Sequence, residues 1–338
     1  MGRFLFLTAG GPANQDLSIF DPVSPPAESI VNVSFLVLAI AAFIFVVVEG
    51  ILLYSVFRFR RRDGADAAEP PQVYGSKPIE IAWTAAPAMI VFVLVLVTAR
   101  TLWVVKVPPP SPRRGDNTLF VTVVGRQWWW QYTYDHYDGE ALGFTTANEL
   151  HVPAGEDGAP RPVYLTLKSA DVCHSYWVPR LAGKIDLIPG RTNHLWFQTA
   201  RPGLYLGQCA EYCGAQHANM LLRVSVDPPR EFARWLGHER KPAGPDDAAN
   251  EPQSAFQRQS CVNCHAVRGT RARGNYAPDL THLMSRQTLA SGVVPNTPEN
   301  LRLWVDDPQQ IKEGCLMPAF GLGGRDRDLV LRYLLTLR

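Results

Sequence analysis

The chain has 338 residues, of which 46% are hydrophobic and 19% charged, with a formal net charge of +2. That length allows two or three domains, and the charge content is lean for a soluble protein of this size. A near-neutral balance with no basic, aromatic-interleaved stripe excludes a nucleic-acid binder, and six cysteines in so long a chain exclude a disulfide scaffold.

Residues 31–57, VNVSFLVLAIAAFIFVVVEGILLYSVF, are apolar apart from Asn32, Ser34, Glu49 and Ser55. About 20 helical residues span a bilayer core, so a first transmembrane helix is expected here. RFRRR follows at 58–62 and by the positive-inside rule marks the cytoplasmic end. The N-terminal segment, 1–30, then lies outside, and its FLFL stub does not identify a cleaved signal peptide. A polar link (63–78) leads to IEIAWTAAPAMIVFVLVLVTARTLWVV at 79–105, a second span that returns outward. Pro87 is tolerable inside a membrane helix, and Trp83 and Trp103 lie near its ends as interfacial anchors do. Residues 31–106 thus form a hairpin in the lipid bilayer. Glu49, an ionisable group inside the first span, reads by default as functional or partner-facing.

PPPSPRRGDN (108–117) reads as a loop. Segments rich in Val, Thr, Tyr, Phe and Trp follow: TLFVTVV (118–124), QWWWQYTY (127–134), VYLTLK (163–168), HLWFQT (194–199) and MLLRVSV (220–226). Separated by turn signals such as YDGE, PAGEDGAP, IPGR and RPG, they predict an all-β sandwich or barrel over 107–228. Residues 229–252, Pro-, Asp- and Ala-rich, read as a linker. Helical stretches such as NLRLWVDDPQQIKEG and DRDLVLRYLLTLR predict a small all-α domain over 253–338.

QCAEYCGAQHANM (208–220) places Cys209, Cys213, His217 and Met220 on one loop. His174, in SADVCHSYWVP, is the natural further ligand. A single blue copper takes two His, one Cys and a weak axial Met, which leaves one thiolate over. Two thiolates can bridge two coppers, each with one His, the Met completing one metal's shell and a backbone carbonyl the other's. Two alternatives stay open: a Cys209–Cys213 disulfide outside the cell, and zinc. The Met argues against zinc, and a disulfide leaves His217 and Met220 unexplained. CVNCH, Cys261 to His265, is the pattern of covalent c-type haem attachment: Cys261 and Cys264 form thioethers and His265 is the proximal ligand. The second axial ligand is expected downstream. Met317, in LMPAF, is the choice, with Met284 and His282 as alternatives.

The residues from about 72 to 228 resemble subunit II of the haem–copper cytochrome c oxidases. The motifs are IEIAWTAAPA, GRQWWWQYTY, DVCHSYWVPRL, KIDLIPGR and RPGLYLGQCAEYCGAQHANM, in that order. SIFDPVSPPAESI in the N-terminal segment looks like one branch of bacterial oxidases. That branch carries a fused class I cytochrome c, which the tail from about 253 resembles through CVNCH, YAPDL and LMPAF. The resemblance implies a multidomain membrane protein: a two-helix hairpin, a Greek-key cupredoxin domain holding the dinuclear centre copper A, and an all-α cytochrome c domain with haem c. It implies His174, Cys209, Glu211 (through its carbonyl), Cys213, His217 and Met220 as copper ligands. It adds a magnesium ion shared between the Glu211 side chain and subunit I, Trp128 as the electron-input residue, and Glu80 at the entrance of a proton channel of subunit I. Trp129 and Trp130 read as an aromatic core patch. Pro278 would offer its carbonyl to His265.

There are departures. Cys173 and Cys315, next to the ligand positions, read as buried free thiols. Docking carboxylates of mitochondrial members are replaced by Thr133 and Ala170, although Asp171 remains. The expected function is electron input to a terminal oxidase of the bacterial cytoplasmic membrane: from haem c to copper A, then to the haem of subunit I, where dioxygen is reduced to water with proton pumping. Both termini and both cofactor domains would face the periplasm. Implied partners are subunit I, subunit III and an upstream donor, either an external cytochrome or a quinol-oxidising complex. The competing expectations are a copper A subunit of a nitric oxide or nitrous oxide reductase and a stand-alone membrane-tethered electron carrier.

Overall fold

The structure, a computed structural model, describes residues 17–60, 72, 74–107, 117–156, 161–247 and 249–338. The FLFL stub, Arg61 and Arg62, most of the 63–78 link, loop residues 108–116 and the end of the PAGEDGAP turn lie outside the described residues. The chain divides into a helical unit, Glu28–Val107, and a larger unit made mainly of the residues from Pro108 onward.

The helical unit consists of α1 (Pro25–Arg58) and α2 (Lys77–Lys106), each a few residues longer than the predicted span. Both are long and apolar enough to cross a membrane, and their most apolar windows are unburied. Pro78 stands in the first turn of α2, where its missing N–H costs nothing. Glu80 in the first turn and Lys106 in the last complement the helix dipole.

The larger unit begins as a sandwich of two five-stranded sheets. The strands are β1 (Leu119–Arg126), β2 (Trp129–Tyr137), β3 (Glu140–Ala147), β4 (Glu149–Pro153), β5 (Val163–Ser169), β6 (His174–Trp177), β7 (Ile185–Leu187), β8 (Asn193–Phe197), β9 (Gly203–Cys209) and β10 (Leu221–Asp227). One sheet has the order β3-β2-β1-β5-β8 and the other β4-β10-β9-β6-β7. Alternation sets which side chains enter the core: Leu119, Val121 and Val123 from β1, Trp130, Tyr132 and Tyr134 from β2, Leu222, Val224 and Val226 from β10. The five predicted strand segments are found as β1, β2, β5, β8 and β10. Residues 17–24 belong to this unit. Val23 is buried in the sandwich core, its N–H donates to Arg180 O, and Asp21 pairs with Arg180 and Arg201.

The stretch expected to be a linker is partly a helix, α3 (Pro229–Glu239). Phe232, Trp235 and Leu236 recur at helical spacing and face the sandwich. Phe232 meets Tyr137 and Trp235 stacks on His151. Pro228 and Pro229 start this helix, and the Pro and Asp content that signals a loop belongs to the residues after it.

The last part comprises α4 (Glu251–Arg258), the short α5 (Cys261–Cys264), a hairpin of β11 (Thr288–Leu289) and β12 (Val294–Pro295), α6 (Pro298–Asp306) and α7 (Gly324–Leu334). Asn250 and Thr297 cap α4 and α6 by accepting from Gln253 N and Asn300 N. α4 packs on α7 through Phe256 and Tyr333, around a separate core containing Val267, Leu301 and Val330.

Candidate metal and haem sites

The first site forms where β9 ends and β10 begins. Cys209 is the last residue of β9, His217 lies in a single 3-10 turn, and Met220 precedes β10. β6 pairs with β9 and brings His174 beside them. Cys209 Sγ and Cys213 Sγ are 3.8 Å apart as free thiols. His174 Nδ1 lies 3.9 Å from Cys209 Sγ, and His217 Nδ1 3.7 Å from Cys213 Sγ. Met220 Sδ is 3.9 Å from Cys213 Sγ, and Cys209 Sγ donates to Glu211 O at 3.2 Å. Each thiol therefore faces one imidazole nitrogen, the thioether lies on one side and the carbonyl on the other. Cys209, Cys213, Met220 and His174 are buried, the last two fully.

The two thiols are shifted in opposite directions: the Cys213 thiol beside it is the chief cause holding Cys209 well below the ordinary thiol range, and the same contact pushes Cys213 well above it. His174 turns its other nitrogen, Nε2, to Asp171 Oδ1 at 2.8 Å. Burial opposes the imidazolium, but hydrogen bonds to Asp171 and Cys209 prevail and raise the His174 pKa. Burial likewise pushes the Asp171 carboxyl up, and the bonds from His174 and from the amides of Gln127 and Val172 outweigh it, so its pKa falls. Asp171 thus orients His174, a candidate ligand, as a carboxylate behind a metal-bound imidazole does. The sequence reading missed that role, although DVCH places the two groups three residues apart. Glu211 has an exposed side chain. Cys173, expected to be buried, is exposed, because neighbours on an extended segment point to opposite sides and His174 takes the inner one.

Trp128 lies in the turn between β1 and β2, after a cis peptide bond. Its Nε1 donates to Cys213 O at 3.0 Å, and Gln127 Nε2 donates to the same oxygen at 2.8 Å. The indole lies against Gly214, where a Cβ would come within 3.0 Å of Trp128 Cζ2. Trp130 is fully buried against His174 and Tyr176, as expected of a core residue. Trp129 differs: it is half-buried under the Arg126 guanidinium.

The second site is a cavity of about 430 Å³ lined mainly by apolar groups, with Cys261, Cys264, His265 and Met317 on its wall. Trp128 and Trp129 line the same cavity from the sandwich side. His265 Nδ1 lies 2.7 Å from Pro278 O. A carbonyl only accepts, so Nδ1 carries the proton; burial also lowers the His265 pKa, which leaves Nε2 with a free lone pair. A Cβ at Gly274 would meet Cys264 C at 2.4 Å, so only glycine lets the chain pass behind the CVNCH turn. Gln309 Nε2 bonds Met317 O and Cys315 O, holding that segment in place. The alternatives to Met317 are otherwise engaged. His282 is buried with Nδ1 against Arg338 O and Nε2 against Lys241 O, and Met284 packs on the core of its own domain. His282 also clusters with His238 and Glu239, but the same two carbonyls occupy its nitrogens. Glu80 is an exposed residue of α2 in the helical unit.

The donor sets fit their expected groups. Two thiols, two imidazoles, a thioether and a carbonyl suit copper, and paired thiols beside a neutral imidazole on an apolar cavity suit a covalently attached haem.

Three family models match the chain. The cytochrome c oxidase subunit II periplasmic domain matches residues 119–226, the subunit II transmembrane domain 12–100, and cytochrome c 249–338. Cytochrome c oxidase subunit 2 of Alkalihalophilus pseudofirmus is 35% identical over 337 residues, covering 99% of this chain and 94% of the relative. The corresponding protein of Bacillus sp. (strain PS3) is 33% identical over 296 residues, covering 83% and 80%. Among solved structures, the periplasmic domain of subunit II of cytochrome oxidase of Bradyrhizobium japonicum is 32% identical. It covers 36% of this chain and 93% of that one, with a TM-score of 0.32.

Proposed function

The chain belongs to the cytochrome c oxidase subunit II family, and from that premise we propose that it is the electron-input subunit of a proton-pumping terminal oxidase, passing electrons from haem c to dinuclear copper A and on to subunit I. It is a membrane-anchored oxidase subunit carrying a cytochrome c domain. In this reading 31–106 is the anchor, 107–228 the copper domain extended by α3, and 253–338 the haem domain. Cys261, Cys264, His265 and Met317 would hold the haem. His174, Cys209, Glu211 O, Cys213, His217 and Met220 would hold two coppers. Bound there, each group takes up and gives up one electron at a time.

One observation carries the reading: Trp128 lines the cavity that contains CVNCH and also donates to Cys213 O at 3.0 Å. A single side chain thus joins the two sites. The other residues orient and shield. Asp171 fixes His174 so that Nδ1 faces Cys209. Pro278 O fixes His265 so that Nε2 faces the cavity. Burial of the thiols excludes water and favours fast electron exchange over side reactions.

The finer assignments complete the proposal. Glu211, exposed beside the copper loop, would meet magnesium at the contact with subunit I. Glu80 would stand at the mouth of a proton channel of that subunit. The two cofactor domains would face the periplasm, with the arginines after α1 on the cytoplasmic side. Subunit III and an external donor complete the set of partners.

The test is electron paramagnetic resonance on the oxidised full-length chain, loaded with copper and haem. The hyperfine pattern of one electron shared equally by two copper nuclei is expected. A single-nucleus pattern, with both thiols intact and copper fully loaded, would overturn the dinuclear assignment.

A further inference from the structure

Within the larger unit, the haem domain does more than carry CVNCH close to the copper loop. Lys312 is buried, at 3% exposure, and among the described residues no carboxylate pairs with it. Its Nζ donates to three backbone carbonyls: Trp128 O at 2.7 Å, Asn219 O at 2.8 Å and Ala290 O at 3.0 Å. An ammonium has three N–H donors, and here all three have acceptors. Two of those acceptors belong to the sandwich: the electron-input residue, and the residue just before the ligand Met220.

Beside Lys312, the loop 290–292 makes further contacts with the same ligand loop. Ala290, Ser291 and Gly292 all have left-handed backbones, with φ of 54°, 64° and 89°. Two non-glycine residues in that region persist only where their surroundings hold them. The surroundings are Leu221, the residue just after Met220. Leu221 N donates to Ser291 O at 3.2 Å, and Ser291 Oγ donates to Leu221 O at 3.4 Å. At Gly292 a Cβ would approach Leu221 Cβ to 3.0 Å. Gln216, which precedes the ligand His217, donates from Nε2 to Glu313 O at 2.5 Å. The haem domain thus grips the ligand loop at residues 216, 219 and 221, each adjacent to a copper ligand.

The sandwich returns one buried charge. Glu149, on β4, accepts from Gln287 N, Thr288 N and Thr288 Oγ1 and pairs with Arg223. A buried ion costs several kcal/mol of desolvation unless its hydrogen bonds are complete, so a lysine and a glutamate at this junction are expensive residues with complete sets of partners. An apolar side chain at 312 would leave three carbonyls without their donor.

From this we infer that Lys312 is a positioning residue of electron input: with the turn 290–292, it holds the copper-ligand loop and the Trp128 backbone in fixed register with the haem cavity. The inference rests on the reading that 209–220 holds copper and 261–265 holds haem.

The test uses the full-length chain with haem attached, comparing Lys312→Met and Glu149→Gln with the parent. Amide hydrogen exchange is read before and after copper loading, and haem-to-copper electron transfer is followed by flash reduction. Lys312→Met should retain haem and protection in α4 and α7, raise exchange at 216–221 by about tenfold or more, and slow electron transfer severalfold. Unchanged exchange at 216–221 would overturn the inference. So would exchange that rises only at 287–292, because Lys312 would then be a domain staple with no hold on the ligand loop. If Lys312→Met does not accumulate with haem, Glu149→Gln decides by the same exchange readout, since it loosens the junction from the opposite side. Exchange before copper loading does not depend on copper, so a single-nucleus resonance signal would count against the proposed function and leave this result standing.

Discussion

The candidate copper and haem sites differ in how much of each the polypeptide builds by itself. At the copper site, two imidazole nitrogens, two thiols and a thioether lie within 4 Å of a neighbouring ligand atom. Strand pairing, Asp171 and the Cys213 carbonyl contacts hold them there. At the candidate haem site Cys261, Cys264, His265 and Met317 lie on the wall of a cavity of about 430 Å³. One site is a preformed set of ligands, whereas the other is a fold built around a guest. Loss of the guest should therefore damage the second far more than the first.

The strongest way to break that contrast is to replace both attachment cysteines, Cys261→Ala with Cys264→Ala. The apolar wall of the cavity would then lose the packing partner that its lining is shaped for. Limited proteolysis should then degrade 253–338 and spare the sandwich. A resistant haem domain would show that the cavity collapses without its guest. Next in size is Asp171→Asn, which keeps the shape and removes the charge that orients His174. Loss of such a partner lowers metal affinity by about 10–100-fold. Competition against a copper chelator should show that loss with the haem spectrum intact, and unchanged affinity would mean that packing against Trp130 suffices to hold the ring. The smallest structural effect belongs to Met220→Leu. The swap conserves volume and should change stability by less than about 1.5 kcal/mol, while the copper resonance shifts and haem content stays constant. Loss of haem in that variant would mean the two sites are not separable.

The same contrast explains what sequence reasoning reached. The candidate ligand residues could be singled out because chemistry and chain proximity coincide: Cys209 to Met220 in one loop, Cys261 to His265 in one turn. The spans were legible from their apolar runs and the alternating strands from their period. Supporting groups were harder to see because their meaning comes from distant neighbours. Lys312 is one of six lysines with nothing local to mark it until the fold sets it against Trp128, 184 positions earlier. Gly274 gains its significance from the backbone of Cys264. For α3 a signal was present: Phe232, Trp235 and Leu236 mark one face of a helix, but the loop-like composition of the residues after it masked that face. The placement of Cys173 depended on which side of a short strand turned inward, and nothing local to that residue fixes it.

The reciprocal burial of Glu149 and Lys312 has a consequence in terms of the surrounding medium. A donor that arrives by diffusion is steered by surface charge, and its association rate falls steeply as ionic strength rises. Glu149 and Lys312, two of the residues that hold the haem domain to the sandwich, are buried, at 6% and 3% exposure, where dissolved ions screen little. If electrons pass as proposed, the step between the two sites would be insulated from the salt outside, and only the arrival of an external donor would be subject to it.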